Sequence, residues 1–323
     1  MQVFGVIPDG QAIHSFELTG GGLTARVLTL GGALQDLRLA GVPYSLVLGF
    51  PDLNSYLHSK AYIGANVGRF ANRIAQGRAT IAGQNYQFDT NFLGKHLLHG
   101  GSAGADRQVW TVTAHSANTL SLQLVLADGE MGFPGELTVE LHYRLLPTAS
   151  LEIEFVATTG APTLCNFAHH SYFNLDGGGS IQDHQLKIAA NHYLPVDAEA
   201  IPTGEIAAVE NTAFDFRELK LINWQQAQYD HNFCTADSKQ ALRPVAYLQG
   251  QNGVSMTLAT TEPGLQLYDG QHLDGGFAAH AGLALEPQAW PDAPNHAHFP
   301  SAELLLGQVY RQVTRYSFSQ AAL

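Results

Sequence analysis

Cysteine is nearly missing: the chain of 323 residues holds two, Cys165 and Cys234, too few for a disulfide framework. Basic residues are scarce as well. Lysine and arginine number 16 against 28 aspartates and glutamates, a formal charge of −12, with no long run of either sign. Nucleic acids and anionic membranes select clustered Lys and Arg, so neither is an expected partner. No apolar stretch reaches the roughly 20 residues that a bilayer-spanning helix needs. The opening MQVFGVIPDG lacks the basic and apolar regions of a secretory signal, and the expected location is the reducing cytoplasm. Helical periodicity is equally thin, confined to residues 53–60 and 223–227.

What fills the chain instead is alternation, which places apolar side chains on one face of a strand. Leu137, Val139, Leu141 and Tyr143 alternate with Thr138, Glu140 and His142. Leu151, Ile153 and Phe155 repeat the pattern, as do Val254, Met256 and Leu258. Turn signals such as Asp128-Gly129, Phe133-Pro134-Gly135 and Glu262-Pro263-Gly264 punctuate these runs. No low-complexity linker or sequence repeat divides the chain. The expectation is an all-β protein, a many-stranded β sandwich spanning residues 1–323 as a single domain.

Histidine is unusually common, 15 against 16 Lys plus Arg, and most fill ordinary surface or hydrogen-bonding roles. Four polar segments interrupt stretches otherwise built for burial. Residues 64–74 set Arg69, Asn72 and Arg73 in a glycine-rich apolar run, either a tight turn or a cluster of guanidinium donors. Leu98-His99-Gly100-Gly101 turns the backbone sharply beside a histidine. In residues 166–175, extended backbone puts Asn166, His170 and Tyr172 on one face, with His169 and Phe173 on the other. Glu286 closes an apolar run, where desolvation raises a carboxyl toward neutrality, as a general base needs; a salt-bridged strand end is the plainer alternative. A zinc site assembled from His96, His99, His169 or His170 with a carboxylate is a further alternative, but no compact ligand spacing supports it.

Taken together, these segments resemble the aldose 1-epimerase, or galactose mutarotase, family. The resemblance runs nearly end to end. It includes Val67-Gly68-Arg69-Phe70-Ala71-Asn72-Arg73-Ile74, Leu98-His99-Gly100-Gly101 and His170-Ser171-Tyr172-Phe173-Asn174-Leu175. Further on come Asp230-His231-Asn232-Phe233, Pro263-Gly264-Leu265-Gln266-Leu267-Tyr268 and Leu285-Glu286-Pro287-Gln288. The resemblance implies a large antiparallel sandwich with a sugar cleft across one concave sheet, and interconversion of the α and β anomers of free hexoses. It implies Glu286 as general base on the anomeric hydroxyl and His170 as general acid on the ring oxygen. Arg69 and His99 match the family's donors near the reacting centre, and Asp230 and Gln266 its holders of sugar hydroxyls. No metal or organic cofactor is expected; the partner is a monosaccharide, met by a monomer or homodimer.

The chain departs from the family pattern where His96 and His169 stand in places usually held by asparagine. Both border the implied cleft, either as two unrelated substitutions or as a hydrogen-bonded pair supporting the catalytic strand, in which case activity falls steeply below about pH 6 as the pair resists charging. Two competing functions remain on the same scaffold. A hexose-6-phosphate epimerase would need added cations in the cleft, and Asp230 would repel the phosphate. A non-catalytic sugar-binding module would not need the Glu286 and His170 that this chain keeps.

Overall fold

A computed structural model describes residues 1–321. Its dominant element is a nine-stranded antiparallel sheet. In order across the sheet the strands are Thr111–His115, Thr119–Leu126, Leu137–Leu146, Ser150–Thr159, Tyr310–Gln320, Val254–Thr260, Arg243–Gln249, Gln185–Ile188 and Lys220–Leu221. The alternation read from the sequence is the reason these strands lie flat on a core. Leu137, Val139, Leu141, Tyr143, Leu151, Ile153, Val254, Met256 and Leu258 are all fully buried. At roughly 25 cal/mol per Å² of apolar surface, each such side chain contributes about 1.5–3 kcal/mol relative to exposure.

A six-stranded antiparallel sheet closes the other side of that core: Tyr172–Phe173, Leu283–Gln288, Gly264–Tyr268, Asp230–Cys234, His192–Tyr193 and Ala207–Ala208. Here the side-chain period of two divides the labour. Phe233, Leu265, Leu267, Leu283 and Leu285 join the shared core. Asp230, Asn232, Gln266, Tyr268, Glu286 and Gln288 stand on the opposite parity, facing away from it. All six residues of Leu283–Gln288 are buried, so this second face is covered too.

The first expected helix forms at Leu53–His58, where the Asp52 side chain accepts from Ser55 N and caps the first turn. The second does not. Residues 223–227 make only a turn in which Gln226 N donates to Asn223 O. Five residues cannot repay the cost of a helical nucleus, and the Trp224 ring is instead stacked on His280 at 4.3 Å.

Candidate active site

Sheet register assembles the site. Glu286 lies opposite Gln266, which lies opposite Asn232 on the next strand. One step along, Asp230 faces Tyr268. Tyr172 pairs with Ala284, which brings His170 beside Glu286. His170 itself falls between two short strands, and its backbone is tied in both directions. Its N–H donates to Ala65 O at 2.8 Å, and its carbonyl accepts from Gly64 N at 3.1 Å. His99 arrives through the pairing of Leu97–Leu98 with Arg73–Ile74. The turn behind it requires glycine: a Cβ at Gly100 would sit 1.9 Å from the Gly68 carbonyl oxygen.

These residues line a cleft of about 180 Å³. His170 Nε2 lies 3.6 Å from Glu286 Oε1. The two are boxed in by rings, with Tyr172 5.0 Å and His99 5.4 Å from the imidazole centroid of His170. Burial pushes the Glu286 carboxyl well above the usual carboxylate range, and the nearby Asp230 charge adds to this. Burial pulls the His170 imidazole down to about 4. Asp230 behaves oppositely. Burial works to raise it, but Arg73 at 3.1 Å and the Gln266 amide at 2.6 Å outweigh that and hold it ionised. His99 Nδ1 accepts from Asn72 N at 3.1 Å, which places the ring proton on Nε2. Burial keeps this ring neutral, its pKa well below the ordinary histidine value. The site thus sets a carboxyl and an imidazole side by side, with a second, neutral imidazole and an anchored carboxylate in the same cleft.

Of the residues singled out from the sequence, Glu286, His170, His99 and Asp230 line this cleft. Gln266, paired with Glu286 on the neighbouring strand, is not among the lining residues; its amide donates to Asp230 Oδ1 at 2.6 Å. Arg69 is elsewhere. Its guanidinium is buried and donates to the carbonyls of Pro134, Gly135, Leu126 and Ala127 and to Thr163 Oγ1. With those five acceptors it stitches loops together and has no reach into the cleft. The arginine in the cleft is Arg73, paired with Asp230 and laid over the Phe92 ring at 4.7 Å. Local sequence does not separate the two arginines: Arg73 is placed by the pairing of Arg73–Ile74 with Leu97–Leu98, the segment leading into His99. Tyr62 and Tyr268 also line the cleft; Tyr268 ends one of the motifs that carry the resemblance, whereas nothing in the local sequence marks Tyr62.

His96 and His169 do not form a pair. His96 Nδ1 accepts from Gln76 N at 3.0 Å, and its Nε2 lies 3.2 Å from Glu199 Oε2. His169 bonds to Asn66 and Ser171 instead. The two segments converge on the site, but from different sides.

His99, His170 and Glu286 do bring three potential metal-ligating atoms within 4.8 Å of one another. The hydrogen bond at His99 argues against a metal there. To ligate through Nε2, the ring would have to carry its proton on Nδ1, facing the Asn72 N–H head-on. Ligating histidines instead direct that second nitrogen at a carbonyl or carboxylate. The donor set does not fit a resident metal.

Residues 14–317 match the family model described as aldose 1-epimerase. The chain belongs to the aldose 1-epimerase family. It is 40% identical to the galactose mutarotase of Mus musculus, with 99% of this chain and 98% of that one covered. It is 32% identical to the aldose 1-epimerase of Escherichia coli K12, with 96% of each covered. Among solved structures, the aldose epimerase homologue from C. elegans superposes with a TM-score of 0.90 at 31% identity, covering 96% of this chain and all of that one. A galactose 1-epimerase from Lactobacillus acidophilus gives 0.88 at 26% identity, covering 99% of this chain and 98% of that one. Membership carries the class of reaction, an isomerisation at the anomeric carbon of an aldose.

Proposed function

We propose that residues 1–323 form one catalytic domain that interconverts the α and β anomers of free aldohexoses, galactose and glucose among them. Glu286 is the general base, His170 the general acid. The observation that carries this assignment is their 3.6 Å separation inside a buried cleft. Opening a hemiacetal removes a proton from the C1 hydroxyl while the departing ring oxygen gains one. Both oxygens sit on one carbon, so the base and acid must stand side by side. After rotation about C1–C2, the ring recloses with the two roles exchanged.

The pair carries one proton throughout. With the cyclic sugar it is Glu286 carboxylate and His170 imidazolium; with the open-chain aldehyde it is neutral carboxyl and neutral imidazole. Burial alone favours the second arrangement. A bound cyclic sugar donates its C1 hydroxyl to the carboxylate and accepts at its ring oxygen from the imidazolium, which favours the first. Asp230, held ionised by Arg73, receives hydroxyls away from the reacting bond, and His99 Nε2–H donates to an oxygen at the reacting end. Arg73 is already paired with Asp230, which favours an uncharged sugar over its 6-phosphate. The two unpaired cysteines suit a cytoplasmic location, and the protein acts as a monomer or homodimer.

Polarimetry of freshly dissolved α-D-glucose and α-D-galactose tests this directly. The protein accelerates equilibration, chelators leave the rate unchanged, and Glu286→Gln lowers kcat by about 10²-fold or more. Full activity in Glu286→Gln would remove the base assignment.

A further inference from the structure

No second residue among those described orients the imidazole of His170 by a hydrogen bond. Catalytic histidines usually direct their second nitrogen at a carboxylate or carbonyl. His170 Nδ1 is buried and, among the described residues, has no hydrogen-bond partner beyond its own main chain. Rings surround it, and rings supply little directional force.

The directional contacts lie behind the backbone instead. His169 and Ser171 flank His170 in sequence, and both point away from the cleft. Ser171 Oγ lies 2.7 Å from His169 Nε2, and His169 Nδ1 lies 3.0 Å from Asn66 Oδ1. Asn66 Nδ2 donates to Gly31 O at 3.1 Å, Gly32 O at 2.8 Å and Tyr143 Oη at 2.9 Å. With the amide nitrogen so engaged, the Asn66 atom facing His169 is oxygen, which only accepts. His169 therefore carries its proton on Nδ1, and its Nε2 accepts from the Ser171 hydroxyl. Tyr143 ends the series by donating to Gly32 O at 2.7 Å. Each polarity is set by the next, and no member needs a charge.

We propose that His169 is a positioning residue: with Ser171 it forms a bracket behind the His170 backbone that aims the catalytic imidazole at the sugar's ring oxygen. This rests on the assignment of His170 as the acid. An amide in place of His169 retains one donor and one acceptor, whereas an aliphatic side chain of similar bulk retains neither.

The test is steady-state kinetics of His169→Leu, His169→Asn and Ser171→Ala, each first shown to be folded by circular dichroism. His169→Leu should lose on the order of 10²-fold in kcat with KM nearly unchanged, the mark of a misaimed group rather than lost binding. His169→Asn should recover activity to within a few-fold. Adding Ser171→Ala to His169→Leu should cost nothing further, because the bracket is already broken. If His169→Leu does not fold, Ser171→Ala alone decides, with an expected loss of about tenfold. A folded His169→Leu, or a Ser171→Ala, with wild-type kcat overturns the proposal. Imidazole ¹⁵N shifts supply a readout independent of turnover: a His169 proton on Nε2 also overturns it. If His170→Asn leaves kcat intact, the acid assignment fails by itself, while the His169 tautomer still reports on the bracket.

Discussion

Burial holds the His169 imidazole down at about 3, so the folded protein keeps this ring neutral where the unfolded chain protonates it. The consequence for stability has a definite sign. Between about pH 6.5 and pH 3 the unfolded state binds more protons, so acidification favours unfolding. At pH 5, about 1.5 pH units below the ordinary histidine value and with about 1.4 kcal/mol per unit, the ring costs about 2 kcal/mol. Near pH 7 it costs almost nothing. Other buried groups titrate in the same range. His170 acts in the same direction, while Asp106, raised by burial to about 6, and Glu286 act against it. The total change therefore isolates no single residue, but a difference between variants does. His169→Asn keeps a donor and an acceptor and cannot titrate. Urea unfolding followed by tryptophan fluorescence at pH 7 and pH 5 should show the wild type losing about 2 kcal/mol more than His169→Asn over that step. Equal losses in the two proteins would mean that His169 is charged in the fold or never buried, and the argument would collapse.

The two arginines should separate cleanly: Arg69→Lys lowers the melting temperature, because several loop carbonyls lose their donors, while Arg73→Lys keeps that temperature and raises KM. Thermal melts and polarimetric kinetics check both, and the reverse pattern would show the assignments to be exchanged. If the proposed roles hold, the acid limb of kcat/KM should fall near pH 4, where His170 takes a second proton onto the pair and Glu286 ceases to be a base, well below the ordinary histidine value of about 6.5. A limb at that ordinary value would place a solvated histidine in the role.

Strand parity was legible because one face of each strand is committed to the core: Leu285 and Leu283 inward leave Glu286 outward, whatever the fold. The opposed directions of His169 and His170 follow from the same period, and the structure keeps them although regular pairing breaks between the two. Which arginine enters the cleft was not legible from side-chain chemistry, since Arg69 and Arg73 are identical donors four residues apart. The choice is made by Leu97-Leu98 pairing with Arg73-Ile74, a contact between segments distant in sequence. The same limit applies to His96. Its partner Glu199 lies 103 residues away, and no local pattern announces a lone carboxylate at that distance.

The Leu283–Gln288 strand carries leucine toward the core and the Glu286 carboxyl, the proposed base, toward the cleft on adjacent residues. A slip of one position against Gly264–Tyr268 would drive Glu286 into hydrocarbon and turn leucine toward the sugar. A chain misfolded in this way would be both unstable and inert. Turnover per milligram of a preparation therefore doubles as a gauge of how much of it has reached the native register, without a separate conformational probe.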